Sequence, residues 1–574
     1  MLRQWIFTRS QQPENAYGPF TLDLLKAEGL NGFELLDIDR APIPELGVGD
    51  IVVLTRCFLR HAETDQIVRG VENGCSLVWI QPPCSQRGSF GRGELAQRLG
   101  WMPQFRVLRS GRVRPGADRP GAGLPLQTHV PVTVYSKTEG AVASKVIAEA
   151  LHDDKNPSGS PAVIEGTLGK GRVALFFYDV PKAVAMIRFG NPELASHVTG
   201  GWTWAHPLDL FTEHYDRELR YHPQADYHTQ LLAQVVSDLS PQPLARLWYY
   251  ENPEQRTAAC LSSDDDWSTR EQFEDLSSTA LKHGARITFY MMEDTKLSNA
   301  ALRKYQQQGH SFGPHVNAFK KDAEHYYFNF PAELHRETEV FRKRYGSCSA
   351  SLQAHCAPWL GYQAWVGELE KAGYRMTLAY FCNDCFNGYM VGSGRPMRMY
   401  TPERGRSQLW QQALTTWDDQ SLIPRYKAEH DAMVAEFEQL LQASLTHHSA
   451  MGFLSHPVSF STYSKRYMDA VMGKMAQAGV PMYSADDWCA FQDRRDAVRL
   501  EQSATDGNVR VKVSGLSGRQ TLMLPLLPEG TTPKATVDGK VLPSTIDMRL
   551  GRRHVFIALE GNGAKHDQEI EITF

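Results

Sequence analysis

The sequence predicts an α/β protein of three successive parts: a domain with parallel strands and helices, a (β/α) barrel and a small β-sandwich. Three observations predict it. Strand and helix patterns alternate over residues 1–245, repeated strand–helix units continue over 246–495, and short strands between Gly and Pro turns fill 496–574. At 574 residues the chain is too long for one hydrophobic core, which agrees with several domains.

The first part has the pattern of a parallel βαβ unit. Residues 50–54 read as a buried strand, 62–73 as a helix and 74–80 as a second strand. A glycine-rich turn then leads into a further strand over 173–177, and a helix over 226–239 ends before Pro241. Strands that alternate with helices at this spacing favour a parallel sheet.

The second part repeats strand and helix patterns over about 250 residues, which suits a barrel. Its predicted strands are 287–292 and 452–455, and its predicted helices are 299–308, 332–345, 364–372 and 427–445. The third part differs, because its apolar runs are short and are separated by turn residues. Its predicted strands are 509–513, 520–524, 535–537 and 555–559.

Composition excludes several classes of protein. A formal net charge of −4 argues against a general nucleic-acid binder, and no apolar run is long enough for a membrane span. The first residues lack a signal-peptide pattern, which favours the cytoplasm, with export as the alternative. Nine scattered cysteines do not form a disulfide framework, and the lone CxxC at 382–385 lacks a second pair for a zinc site.

Three consecutive aspartates, Asp264, Asp265 and Asp266, follow an apolar run in the second part. Adjacent carboxylates at a strand end repel one another unless a cation or a shared proton relieves the charge. The run therefore indicates a functional site. The alternative is an acidic turn that caps the next helix.

Other ligand-type residues lie at later predicted strand ends. Residues 309–315 read Gly-His-Ser-Phe-Gly-Pro-His, 355–359 read His-Cys-Ala-Pro-Trp, and 454–457 read Leu-Ser-His-Pro. In a parallel barrel the carboxyl ends of the strands converge on one mouth. We therefore expect these side chains to meet the aspartates.

With these motifs the second part resembles the polysaccharide deacetylases (NodB homology, carbohydrate esterase family 4). The resemblance implies a distorted, NodB-like (β/α) barrel in which Asp264 is the general base and His456 the general acid. It also implies that His315 binds the metal together with Asp265 or Asp266. Strand alternation places positions 264 and 266 on the same face, which favours Asp266 as the ligand.

Two departures from the family pattern affect the predicted metal site. The second histidine ligand of the family would fall at Phe319, and the usual arginine of the third motif is absent. We therefore predict that His355 completes the site, with Asn317 and His310 as weaker substitutes. One carboxylate and two imidazoles suit Zn²⁺ best, although cobalt, nickel or manganese also fit mixed oxygen and nitrogen ligands.

Aromatic residues beside the motifs are candidates for sugar binding, because indole rings pack on the apolar faces of sugars. We predict Trp359, Trp417 and Asp419 as substrate-binding residues, with Trp267 and Trp410 as further aromatic candidates. The alternative for each tryptophan is ordinary core packing.

The first part resembles ThuA-like and class I glutamine amidotransferase-like domains, which implies a doubly wound, flavodoxin-like sheet. It lacks the Gly-x-Cys-x-Gly nucleophile elbow, and Cys57, Cys75 and Cys84 lie in no such motif. The sequence therefore predicts a scaffold or sugar-binding module instead of an amidotransferase.

Together these features predict a metal-dependent hydrolase that removes acyl groups, acetyl foremost, from a carbohydrate or polysaccharide. One alternative is glycosidic cleavage by paired carboxylates, for which Asp264 and Asp419 are the candidate pair. The other is a carbohydrate-binding or assembly protein built on a barrel that has lost its metal. The sequence predicts no oligomeric state.

Overall fold

The computed structural model describes residues 2–574 except 83–95, 97, 139–143, 199–204, 212–214, 319–325, 360, 381–386, 417, 421, 422, 506, 507, 527–531 and 562–566. The chain divides into two compact units. The first unit comprises Met1–Ile187, Gln224–Pro253 and Arg494–Phe574, and the second comprises Arg188–Pro223 and Glu254–Asp493. The structure thus divides the chain into two units, and the division into three domains that the sequence predicts stays a prediction.

The first unit contains a nine-stranded mixed sheet. Its strands, in spatial order, are Glu34–Asp37, Arg3–Thr8, Asp50–Leu54, Ser76–Ile80, Gly171–Phe176, Pro157–Leu168, Lys145–Leu151, Arg112–Pro115 and Leu126–Gln127. The first five strands pair in parallel and the rest pair antiparallel. The strands Trp101–Leu108 and Val132–Lys137 form a separate antiparallel pair.

The doubly wound, flavodoxin-like sheet stays a prediction for the five parallel strands, whose order in the sheet, second, first, third, fourth and fifth along the chain, is that of flavodoxin-like folds. The antiparallel strands beside them were not predicted. Leu168 pairs with Gly171, so a two-residue loop joins two neighbouring strands. So short a loop joins antiparallel strands only, whereas a parallel crossover needs a dozen residues or more. The first residue of the loop, Gly169, has a φ of 60°, which glycine adopts without strain.

The end of the chain forms two antiparallel sheets in the first unit. One contains Arg246–Leu247, Gly518–Pro525, Arg552–Gly561 and Ser544–Arg549, and the other contains Arg499–Thr505, Asn508–Ser514, Gln568–Thr573, Lys534–Val537 and Lys540–Val541. Val511 and Ile570 of the second sheet share one buried apolar cluster with Leu522 and Ile557 of the first. Two antiparallel sheets around one apolar core make a β-sandwich.

The second unit is built on parallel strands. Four of them lie side by side in the order Ser311–Pro314, Thr288–Met291, Ala259–Asp264 and Met451–Ser455. A fifth strand, Met482–Ser484, also pairs with Ala259–Asp264. A second sheet contains Ser351–Leu352, Met376–Thr377, Gly405–Gln411 and Met397–Thr401. Strand pairing among the described residues does not close these sheets into one ring, so the barrel stays a prediction.

Helices cover these sheets, and several match their predicted positions closely. Those of the first unit are Thr21–Ala27, His61–Glu72 and Gln224–Leu239. Those of the second are Arg270–Lys282, Asn299–Gln307, Tyr326–Tyr345, Val366–Lys371, Ile423–Ala428, His430–His447, Pro457–Ser459 and Lys465–Gln477, with a π-helical turn at Phe460–Ser464. Val180–Phe189 and Ala485–Ala497 cross the unit boundaries, and 3₁₀ turns lie at Pro13–Asn15, Gly18–Phe20, Pro192–Leu194, Pro207–Phe211 and Arg217–Leu219. Within the described parts of the chain, no helix has the length and apolar character that crossing a bilayer requires.

One edge of the parallel sheet in the second unit gathers the predicted site residues. Asp264 is the last residue of its strand, and His315 and His456 each follow directly on theirs. The register pairs Asp264 with Tyr290 and Ser263 with Ser455. Because parallel strands all end at the same edge, this register brings the two histidines and the aspartate together.

Candidate metal centre and active site

A tight turn after the first site strand sets the directions of the acidic side chains. The strand ends at Asp264, and the next carboxylates belong to a turn in which Asp266 has a φ of 39° and Trp267 a φ of 59°. This left-handed backbone turns the Asp266 carboxylate back towards Asp264. The two therefore share a face, as predicted, but the turn is the cause and not strand alternation.

Asp265 points away from the other two aspartates and stabilises the turn. Its carboxylate accepts hydrogen bonds from the backbone N–H groups of Ser268, at 3.1 Å, and Met292, at 3.2 Å. Asp265 is fully buried, and burial raises its pKa to about 6. Both Asp265 oxygens thus accept backbone hydrogen bonds, and neither belongs to the metal-type clusters among the described residues, so its role as a metal ligand stays a prediction.

Three side chains direct donor atoms at a common point. Asp266 Oδ1 lies 3.4 Å from His315 Nε2 and 3.3 Å from His355 Nδ1, and the two ring nitrogens are 3.2 Å apart. The predicted pair of Asp266 and His315 is thus together, and His355 completes a group of three as proposed from the sequence. These atoms form one of the clusters whose geometry could hold a metal ion.

The donor set fits a divalent cation. In a tetrahedral zinc site with bonds of about 2.0–2.1 Å, neighbouring ligand atoms are about 3.3–3.4 Å apart, and these three lie within about 0.1 Å of that range. Asp266 Oδ1 is buried, and no donor among the described residues forms a hydrogen bond with it. Since a carboxylate oxygen and imidazole lone pairs repel at this distance, a cation or a proton has to lie among them.

Backbone contacts orient both imidazoles. His315 Nδ1–H donates to the Gln353 carbonyl at 2.9 Å, which leaves the Nε2 lone pair directed at the carboxylates. The backbone N–H of His355 donates to the Val316 carbonyl at 3.0 Å. Burial lowers the pKa of His355, but the Asp266 carboxylate has the larger effect, so the pKa of His355 is raised to about 10. The same rings hold the pKa of Asp266 below its usual range against the effect of burial.

Asp264 is a buried carboxylate with the properties of a base. It is 4% exposed, its Oδ1 has no hydrogen-bond partner among the described residues, and its Oδ2 lies 3.6 Å from His315 Nε2. Burial raises its pKa to about 7. A carboxylate with a pKa near neutrality, beside a cation site, is well suited to take a proton from water.

His456 lies opposite and is held by two further carboxylates. Its Nδ1–H donates to Asp419 Oδ1 at 2.7 Å, and Asp418 Oδ1 lies 3.5 Å from the same nitrogen. Its Nε2 faces Asp266 Oδ2 at 3.7 Å. Burial lowers the pKa of His456, but the charges of Asp418 and Asp419 raise it well above its ordinary value. The ring therefore carries a proton that Nε2 can donate.

A cavity of about 280 Å³ joins these groups within the second unit. Its volume suits a small substituent such as an acyl group and part of one sugar ring. The residues that line it are His206, Asp264, Asp266, His315, Gln353, Ala354, His355, Cys356, Ala357, Asp418, Gln420, Leu454 and His456.

The two predicted substrate-binding residues that the structure describes are both buried. Trp359 is 2% exposed and donates its indole N–H to the Tyr362 carbonyl, so it has no free face for a sugar. Asp419 is 1% exposed and holds His456, which makes it a positioning residue and removes the second carboxylate of the glycosidase alternative. Trp417 lies outside the described residues.

Two other tryptophans differ in exposure. Trp410 is 7% exposed and packs on the Arg398 guanidinium at 3.9 Å. Trp267 is 39% exposed, and its ring stands edge-on to that of His355, with the centroids 5.6 Å apart. Among the tryptophans considered from the sequence, Trp267 is therefore the one described residue placed to contact a sugar.

The substitutes considered for the second histidine have structural roles. His310 is buried, accepts from the backbone N–H of Ile287 at 3.1 Å and lies 3.0 Å from Ser277 Oγ. The backbone N–H of Asn317 lies 3.4 Å from Glu337 Oε2, and neither His310 nor Asn317 lines the cavity as described. Phe319 and the CxxC at 382–385 lie outside the described residues.

Several lining residues were not predicted as site residues, among them the polar residues Asp418, His206 and Gln420. Asp418 forms an isolated parallel bridge with Leu454, so it occupies another strand-end position beside His456, and its place directly before Asp419 was a usable signal. His206 comes from the segment Arg188–Pro223, which the sequence placed in the first domain. No sequence signal identified Gln420.

Comparison with known proteins gives structural likenesses only. No family model matches the chain, and no curated protein matches its sequence. A protein from Mycobacterium smegmatis named as a polysaccharide deacetylase is similar, with 11% identity and a TM-score of 0.34 over 45% of this chain and 97% of that one.

Two further solved structures are similar over smaller shares of the chain. A family 4 carbohydrate esterase from Streptomyces lividans, solved with acetate, has 12% identity and a TM-score of 0.26 over 39% of this chain and 91% of that one. A β-galactosidase from Bacillus circulans has 11% identity and a TM-score of 0.25 over 32% of this chain and 30% of that one.

Proposed function

We propose that the protein is a metal-dependent hydrolase that removes an acyl group, acetyl foremost, from a carbohydrate. The observation that carries the proposal is the group of three donor atoms, Asp266 Oδ1, His315 Nε2 and His355 Nδ1, at 3.2–3.4 Å from one another. These residues would hold a divalent cation, for which Zn²⁺ is the best match. The carbohydrate class comes from the resemblance of the sequence motifs to polysaccharide deacetylases.

The bound cation would act as a Lewis acid towards the acyl carbonyl and the attacking water. Asp264, with its pKa near 7, takes the proton of that water. His456 Nε2 then gives its proton to the leaving nitrogen or oxygen. Asp419 keeps the His456 ring oriented through the 2.7 Å hydrogen bond to Nδ1.

The base and the acid contact different ligands of the cation site. Asp264 contacts His315, whereas His456 Nε2 lies 3.7 Å from the far oxygen of Asp266. An acyl group between them would meet the base on the side of the attacking water and the acid on the side of the leaving group. This arrangement favours hydrolysis over simple sugar binding, which needs no such pair.

The experiment begins with elemental analysis of the purified chain. We expect one equivalent of zinc in the wild type and in His335→Ala, a matched control whose side chain is 42% exposed and lies outside the cavity, and none in His315→Ala. Acetate release from acetylated amino-sugar oligomers should fall by about 10²–10⁴-fold in Asp264→Asn, the usual contribution of a general base.

Two outcomes would contradict the proposal. A metal-free wild type that still binds saccharides would support the alternative of a carbohydrate-binding protein, in which a proton relieves the Asp266–His355 contact. Undiminished acetate release by Asp264→Asn would remove that residue from the role of base.

A further inference from the structure

Gln420 contacts the one oxygen of Asp266 that faces away from the two imidazoles. Its side-chain Nε2–H donates to Asp266 Oδ2 at 3.1 Å. The other oxygen, Oδ1, is the one near His315 and His355. The two oxygens of this carboxylate therefore have separate partners, and the amide holds one of them.

The backbone that carries this amide is itself fixed. The N–H of Gln420 donates to Asp418 Oδ1 at 3.0 Å, and Asp418 is bridged to Leu454 beside the site strand. The residue between them, Asp419, holds His456. One three-residue segment thus contacts both the metal-binding carboxylate and the proton donor.

His456 is the competitor for the oxygen that Gln420 holds. Its Nε2 lies 3.7 Å from Asp266 Oδ2, so a small rotation of the carboxylate would form a direct ion pair between them. Such a pair would turn Oδ1 away from His315 and His355. It would also bind the proton that His456 has to donate.

We propose that Gln420 is a positioning residue that keeps Asp266 Oδ1 directed at the cation site and Oδ2 away from His456. This inference rests on the proposed function, because it assumes that a cation binds there. Partners that orient a metal ligand typically change metal affinity 10–100-fold when they are removed.

The test measures metal binding without turnover. Metal-free protein is titrated with Co²⁺, whose visible absorption reports both affinity and coordination. Gln420→Met keeps the length of the side chain but removes the donor, and we expect Co²⁺ affinity to fall about 10–100-fold with a changed spectrum. Gln420→Ala should lose less, because a water molecule can enter and donate to Asp266 instead.

The matched control is Gln306→Met, since Gln306 lies on the helix Asn299–Gln307 and makes an exposed contact with Ser347. Its affinity and spectrum should equal those of the wild type. Thermal unfolding of each metal-free variant shows whether it is folded, and if Gln420→Met is not, Gln420→Ala carries the test.

Equal Co²⁺ affinity and spectra in the wild type and the Gln420 variants would overturn this inference and leave the proposed function intact. A wild type that binds no Co²⁺ would overturn the proposed function itself. The two failures are therefore distinguishable. Weaker binding in Gln420→Met than in Gln420→Ala would support the positioning role, because a merely structural role gives no such order.

Discussion

Asp419→Asn is the substitution that most directly tests the proton donor. Asp419 Oδ1 accepts from His456 Nδ1–H at 2.7 Å, and Oδ2 accepts from the His456 backbone N–H at 3.2 Å and from the Ser464 hydroxyl at 3.1 Å. Asparagine has one oxygen where aspartate has two. That oxygen has to serve either the ring or the other two donors.

We expect the amide oxygen to take the position that faces two donors, the His456 backbone N–H and the Ser464 hydroxyl. If the amide oxygen faces the His456 backbone N–H and Ser464, the amide NH₂ faces His456 Nδ1, which then has to give up its proton and accept. The reverse orientation points the NH₂ at the backbone N–H, donor against donor. We therefore expect the Asp419→Asn variant to hold His456 in its neutral form, with its pKa lowered.

A neutral imidazole is a poor general acid, and loss of general acid catalysis typically slows a reaction about 10²–10⁴-fold. The loss should depend on the leaving group. Release of acetate from an acetylated amino sugar needs a proton for the departing amine, so kcat should fall by that factor. Hydrolysis of 4-nitrophenyl acetate, whose leaving group departs without a proton, should change less than about tenfold.

The assay compares the two substrates in the wild type and Asp419→Asn at several pH values. Burying asparagine in place of the charged partner should also lower the free energy of unfolding by about 1–3 kcal/mol, which chemical denaturation measures. Equal rate losses on both substrates would refute the assignment of His456 as the acid. Unchanged turnover of the amino sugar would refute the role of Asp419.

Two further predictions concern the scaffold. Burial lowers the pKa of His310 to about 4, below its unfolded value of about 6.5. The unfolded state therefore binds the proton more tightly, so stability is full above pH 6.5 and falls by up to about 3 kcal/mol as the pH drops towards 4. Urea denaturation at pH 7 and pH 4.5 should show a smaller fall in His310→Gln than in the wild type, and an equal fall would contradict this reasoning. In Gly452→Ala the new Cβ would lie 2.1 Å from the Ala413 carbonyl oxygen, so the strand that leads to His456 has to shift. We expect a loss of more than about 3 kcal/mol by chemical denaturation, whereas Gly47→Ala, with no atom within 4 Å, should stay within about 0.5 kcal/mol.

The sequence alone predicted much of the local structure. The strand Asp50–Leu54 has the predicted bounds, and Asn299–Gln307 and Met451–Ser455 differ from their predicted ranges by one residue. Periodic apolar runs and helix-ending glycines determine such elements locally, so they can be read without a partner. The antiparallel strands between residues 101 and 168 were missed, since their order in the sheet depends on pairings distant in sequence.

The site divides in the same way. Asp264, His315 and His456 could be placed together from the sequence because each comes at the end of a parallel strand, and such ends share one edge. The sequence favoured Asp266 over Asp265 through strand alternation, but the left-handed turn after the strand is what directs Asp266 at the cavity.

Only the tertiary structure decided how the remaining partners reach the site, although His355 was expected there from the sequence. His355 reaches the site from a loop, and Gln420 and Asp419 do so from a segment next to the last site strand. Hydrogen bonds between segments 37 to 154 residues apart fix their positions, such as His456 on Asp419 and Gln420 on Asp266. Such contacts leave no periodic pattern in the sequence, since each depends on one side chain meeting another only after the sheet has formed.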